Sequence, residues 1–151
     1  VVDATGLKAK FRALPDTIEE ALKKQFEKEA EKLVKEMRLF LGASWPALED
    51  DIEINWTWGD APAGAVTVGS YGRKDTAALV VTIYARAVSG SGVSAAWFEF
   101  GTAERVQKKT GRRTGRITAS PFFFPPYRAN RQRIRNNLRG ALRRAVRKLN
   151  A

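Results

Sequence analysis

The sequence predicts an α+β domain: a long N-terminal helix and a basic C-terminal helix packed on a small antiparallel sheet of three to four strands, with a long basic loop before the last helix. Three observations carry that prediction. Apolar residues recur every three or four positions near both ends of the chain, they alternate with period two in the middle, and the two patterns occupy separate runs. With 151 residues and 44% hydrophobic content, the chain has the size and apolar content of one domain spanning 1–151.

Leu7, Phe11 and Leu14, interleaved with Lys8, Lys10 and Arg12, predict a short amphipathic helix over 5–14 that Pro15 interrupts. Asp16, Thr17, Glu19 and Glu20 then form the acidic first turn of a second helix, expected over 16–41. Its apolar face is Ile18, Leu22, Phe26, Ala30, Leu33, Val34, Met37, Phe40 and Leu41, with Gly42 as the stop and a solvated Glu and Lys face opposite. The sheet is expected within 51–100. Ile52, Ile54, Trp56 and Trp58 alternate with Glu53, Asn55 and Thr57, the signature of a strand with one buried face. A turn at 60–64 predicts a hairpin to a second strand over 65–70, closing at Tyr71-Gly72. The β-branched run over 76–88 reads as the longest and most central strand. After the flexible link 89–92, residues 95–100 fit either a strand or the last turn of a short helix. In the strand reading, Trp97 and Glu99 face away from Phe98 and Phe100.

Apolar periodicity disappears over 102–120, predicting a flexible basic loop. Residues 121–126 form a proline-bracketed knot of three phenylalanines. A helix is expected over 127–149, with Ile134, Leu138, Leu142, Val146 and Leu149 as its apolar stripe among arginines.

Composition narrows the chemistry. With no cysteine and no histidine, the chain has no disulfide, thiolate nucleophile or imidazole base, and neither usual zinc ligand. The formal charge is +11, unevenly placed: residues 105–151 hold 15 Lys or Arg and no acid, whereas the preceding residues hold 12 basic and 16 acidic groups. Such polarity suits contact with a polyanion, or with the acidic face of a neighbouring copy. No run approaches the roughly 18–20 apolar residues of a membrane span, and no secretory signal opens the chain, so a soluble protein made in a cytoplasm, without membrane contact, is expected.

The most distinctive arrangement is Trp97-Phe98-Glu99-Phe100-Gly101-Thr102, a basic loop, Ser120-Pro121-Phe122-Phe123-Phe124-Pro125-Pro126, and a helix to the end. Together with the short helix ending in Leu14-Pro15 and the long Ala-, Glu- and Lys-rich helix after it, this order resembles the tail-completion, or head-to-tail joining, proteins of long-tailed phages. That family is similar to minor tail protein Z. The resemblance implies a virion protein of the neck, assembled in the host bacterial cytoplasm into a ring, expected to be a hexamer. Its implied partners are further copies of itself, the head connector or head-closure protein, and the tail tube or tail terminator protein, with non-specific contact to packaged DNA.

Two sets of candidate contact residues follow. Trp97, Glu99, Phe100, Gly101, Thr102, Phe122, Phe123 and Phe124 are candidates for a subunit or partner interface, with a core plug as the competing role for the three phenylalanines. Lys108, Lys109, Arg112, Arg113, Arg116, Arg131, Arg135 and Arg139 are candidates for contact with a polyanion or acidic partner. No catalytic, metal or cofactor site is expected. Glu99 has no partner base, so a structural hydrogen bond or subunit contact is expected of it. Glu49, Asp50 and Asp51 read as a solvated turn, and Trp56 and Trp58 as core or interface packing. The competing function is sequence-independent nucleic-acid binding through the loop and last helix; a hydrolase using Glu99 with an arginine is the third.

Overall fold

The structure, a computed structural model, describes residues 16–68 and 79–151. The helix expected over 5–14, the turn at Tyr71-Gly72, and residues 69–70 and 76–78 of the expected strands lie outside the described residues. Helix α1, Asp16–Ser44, begins with the acidic turn that favours a helix N-terminus and buries Ile18, Leu22, Ala30, Leu33, Val34, Met37 and Leu41. It runs on past Gly42, against which the Glu49 side chain lies, so that a Cβ there would push the Glu49 carboxylate aside. Phe40, expected in the core, is 45% exposed whereas Met37 is fully buried. The three-residue step turns Phe40 about 60° away from the Met37 direction, onto the rim.

A 3-10 turn, Pro46–Leu48, leads into β1, Ile52–Trp58, followed by β2, Val66–Val68, and β3, Val81–Ala87. All pairings are antiparallel and the order is β1-β3-β2, so the most central strand is the β-branched one. The expected β1–β2 hairpin does not form. β1 pairs along its whole length with β3, from Ile52 opposite Ala87 to Trp58 opposite Val81, while three-residue β2 takes the other edge. The reason is burial: Thr82, Ile83, Tyr84 and Ala85 are all buried, so β3 needs a neighbour on each side. The 59–65 connection must therefore cross the sheet, and Thr82 Oγ1 donates to the Gly59 carbonyl where it starts.

The helix face of the sheet carries Ile52, Ile54, Ile83 and Ala85 against Leu33, Val34, Met37 and Leu41 of α1. On the edge of β1, Arg38 donates through two guanidinium nitrogens to the Ile54 carbonyl, which blunts a strand edge otherwise open to pairing. The opposite face carries Glu53 and Arg86, which are directly paired across the strands and joined at 2.7 Å.

Residues Ala95–Phe100 form helix α2, which settles the two alternatives and regroups the side chains: Ala95, Phe98 and Glu99 turn inward, Trp97 and Phe100 outward. The 102–120 segment contains a two-stranded hairpin, β4 Arg105–Val106 with β5 Arg113–Gly115, its turn closed by Gln107 N–H donating to the Arg112 carbonyl. No apolar periodicity announces this hairpin because every side chain on both strands is exposed.

Helix α3, Phe124–Leu149, starts three residues before the expected 127 and runs antiparallel to α1, with Ile18 and Leu22 near Ala145 and Glu36 near Asn130. The expected apolar stripe meets α1 only in part: Leu142 packs half-buried with Ile18 and Leu22, whereas Val146 and Leu149 are 38% and 47% exposed. Buried Ala141 and Ala145 also face α1, together with Asn130, Arg133 and Asn137. Ile134 and Leu138 instead flank an open apolar trough of about 330 Å³ shared with Phe26, Leu33, Leu79 and Val81.

Polar groups on α1 explain this rotation. Glu29, on the face expected to be solvated, is 3% exposed and accepts from Gln25 (2.8 Å), Asn137 (2.7 Å) and Arg133 (3.0 Å). Arg133 also donates to Asn130 Oδ1, and the Asn130 amide donates to Glu36 and to the Pro126 carbonyl. A buried carboxylate needs its donors, so α3 presents its asparagines and Arg133 to the middle of α1, with Leu142 packing further along. Removing Arg133 strands Glu29: Arg133→Ala is expected to lower unfolding free energy by roughly 2–4 kcal/mol, and Glu29→Leu combined with Arg133→Leu to cost less, as read from denaturant unfolding.

On the outer sheet face, the hydrogen bond from Arg86 holds the Glu53 carboxyl below the usual carboxylate range, against the opposing effect of burial. That contribution is present above the ordinary carboxylate pKa and is lost as pH falls through the lowered folded-state value. Glu53→Gln should therefore melt roughly 1–3 °C below the parent at neutral pH, with the gap closing in strong acid in a thermal melt series.

Candidate functional site

Glu99 organises the region that carries the distinctive motifs. Its Oε2 accepts from the backbone N–H of Phe122 (2.8 Å) and Phe123 (2.9 Å), and its Oε1 from Phe124 N–H (3.0 Å). Phe123 caps α3 and Phe124 is its first residue, and the next two residues are prolines with no N–H to satisfy. One carboxylate thus takes the unpaired donors at the head of a 26-residue helix, where the helix dipole favours negative charge. Glu99 is 2% exposed, with no Lys or Arg in ion-pair range among the described residues. Three oriented peptide dipoles supply the compensating positive charge.

The residues after Glu99 close the same joint. Gly101 has φ +78°, and a Cβ there would stand 3.0 Å from both Ala119 N and the Ile117 carbonyl, so only glycine lets the two segments lie side by side. Thr102 N–H donates to the Ile117 carbonyl and Thr102 Oγ1 accepts from Ile117 N–H, both at 2.9 Å. Trp45, stacked edge-on against Phe98 with centroids 4.9 Å apart, donates its indole N–H to the Ser120 carbonyl. Phe122 and Phe123 are fully buried in the main core.

What faces outward from this joint is aromatic and cationic. Trp97 is 38% and Phe100 63% exposed, and Phe100 leans on half-buried Phe124 at 5.8 Å. The Arg105 guanidinium lies over the Trp97 ring at 5.4 Å and that of Arg128 over Phe124 at 5.9 Å. Beside them the β4–β5 hairpin presents exposed Lys108, Lys109, Arg112, Arg113 and Arg116, of which Arg113 reaches Glu104 at 3.5 Å. Along α3, Arg128, Arg131, Arg135 and Arg139 are exposed within one stripe.

The two predicted residue sets therefore land differently. The basic set is wholly at the surface. Of the aromatic set, Glu99, Phe122 and Phe123 are interior, Gly101 and Thr102 are backbone joints, and Trp97, Phe100 and Phe124 remain for a partner. For Glu99, the structural hydrogen bond is the role observed. Arg105, Arg128 and Trp45 belong to this region but were not among the sequence candidates. Arg128 stands four residues after Phe124, a helical spacing that could have flagged it. Among the described residues no cluster of three or more Asp or Glu is placed to hold a metal ion. Compared with protein-family models, curated proteins and solved structures, the chain matches none.

Replacing Glu99 by Gln turns one acceptor into a donor facing backbone N–H groups. Glu99→Gln is expected to cost roughly 2–4 kcal/mol and to lower the melting temperature by about 5–12 °C. Phe100→Ala, at the surface, should shift it by no more than about 3 °C in the same circular-dichroism melts.

Proposed function

We propose that this chain is a structural protein of a tailed bacteriophage particle, a tail-completion or head-to-tail joining subunit that acts by assembly and shape. The observation that carries the reading is the use made of the Trp97–Thr102 and 120–126 motifs. Their polar groups are spent on one rigid internal joint, while Trp97, Phe100 and Phe124 turn outward with stacked arginines. Exposed tryptophan, phenylalanine and arginine on a rigid support is the composition of a protein-docking surface. In the particle the subunit would join others in a ring, expected to be hexameric, between the head connector or head-closure protein and the tail tube or tail terminator.

The hydrolase alternative has less support, since Glu99 has both oxygens engaged and is 2% exposed. Sequence-independent nucleic-acid binding stays as a second reading because Lys108, Lys109, Arg112, Arg116, Arg131, Arg135 and Arg139 are exposed and form no ion pair among the described residues. In the neck these cations could also touch packaged DNA without reading bases. Among the described residues no helix is long and apolar enough to cross a membrane.

Phage lacking this chain should accumulate filled heads and separate tails by electron microscopy; attached, infectious tails in its absence would refute the proposal. Ionic strength separates the second reading: simple DNA binding by these cations should weaken roughly 10³-fold or more between 50 and 200 mM salt, whereas a protein ring should persist.

A further inference from the structure

We infer that the aromatic and arginine surface of Trp97, Phe100, Phe124, Arg105 and Arg128 receives the acidic turn at 49–51 of a second copy of this chain, in a head-to-tail contact. The inference rests on the assembly reading above and gives it a specific surface.

Both faces are prepared in advance. On the receiving side, the Arg105 and Arg128 guanidinium groups lie over aromatic rings and remain exposed, with N–H donors available to a carboxylate. Neither forms an ion pair among the described residues.

On the donating side, Glu49 and Asp50 are exposed and Asp51 half-buried, and none forms an ion pair among the described residues. Their backbone is tied down: Asp51 N–H donates to the Leu48 carbonyl, and the Asp51 carbonyl accepts from Val88 N–H. Val88, 44% exposed, borders the same depression as Glu49, Asp50 and Arg38, whose guanidinium is engaged by the Ile54 carbonyl, and adds an apolar contact for Phe100. The acidic turn, with Val88 beside it, therefore matches the cationic and aromatic surface in charge and chemistry.

Symmetry sets the geometry. Two receiving surfaces meeting each other would place arginine on arginine, and two acidic turns would place carboxylate on carboxylate. The complementary contact pairs unlike surfaces; formed once between two copies it is heterologous, and its repetition closes a ring or extends a filament.

Because the chain has no cysteine, single cysteines report this contact cleanly. Asp50→Cys and Arg105→Cys, both at exposed positions, are purified, checked for an unchanged melting curve, mixed in equal amounts and mildly oxidised. The mixed disulfide should make up nearly all of the product, well above the roughly one half that random pairing of equal amounts gives. Glu49→Lys with Asp50→Lys should abolish self-association of its own chain, as should Arg105→Glu with Arg128→Glu, and mixing the two charge-reversed chains should restore it. A random product ratio, dominance of either homodimer, or failure of the mixture to reassociate would overturn the contact. So would Arg105→Glu with Arg128→Glu weakening a salt-sensitive interaction with a DNA duplex while self-association is unaffected. The phage-deletion experiment fails independently: attached tails without the chain would remove the neck assignment and leave a measured contact standing. A neck density in which copies touch through other surfaces would do the reverse.

Discussion

A single carboxylate inside the molecule, Glu99, holds three consecutive backbone N–H groups at the head of the last helix, and the remaining architecture depends on that contact. It joins α2 to α3 across more than twenty residues of sequence. In doing so it places Phe122 and Phe123 in the core and aims α3 along α1. The hydrogen bonds are effective because they are buried. Water would compete for the same donors at the surface, whereas here nothing else is available to them. Pro125 and Pro126 complete the arrangement by removing two donors that one side chain could not have reached.

Once α3 is aimed, the polar seam with α1 decides its rotation. Glu29 and Glu36 require Arg133, Asn130 and Asn137 opposite them, and small Ala141 and Ala145 allow close approach further along. Such a seam contributes less to stability than an apolar one of equal area, but it specifies a single register. Its consequence is at the surface, because the rotation that satisfies Glu29 also leaves the arginine stripe of α3 facing outward. The proposed docking function thus draws on the same constraints that fix the core: an inward carboxylate sets which aromatic and cationic groups are left outside.

Much of this was legible in the chain. The period-two run at Ile52 to Trp58 coincides with β1, the β-branched run contains the central strand, and the periodic runs near the two ends lie within the two long helices, which extend three residues further. The region of interest was also legible, as a pair of motifs about twenty residues apart. Less legible was which of its members face out. Alternation and helical spacing give different partners to Glu99, and only the α2 geometry groups it with Phe98 and Ala95. The exposed hairpin at 105–115 left no apolar signal, and Glu29 looked like any other residue on a charged helix face.

By itself, the sequence determined the α+β class, the approximate extents of the two long helices and of β1, and the division into an acidic front and a basic rear. These follow from local periodicity and composition, which act between near neighbours. Tertiary structure alone decided the strand order, the rotation of α3, the burial of Glu29 and Glu99, and the exposure of Trp97 and Phe100. Those outcomes hinge on which distant group meets a buried polar atom, and such pairings across the fold leave no period in the chain.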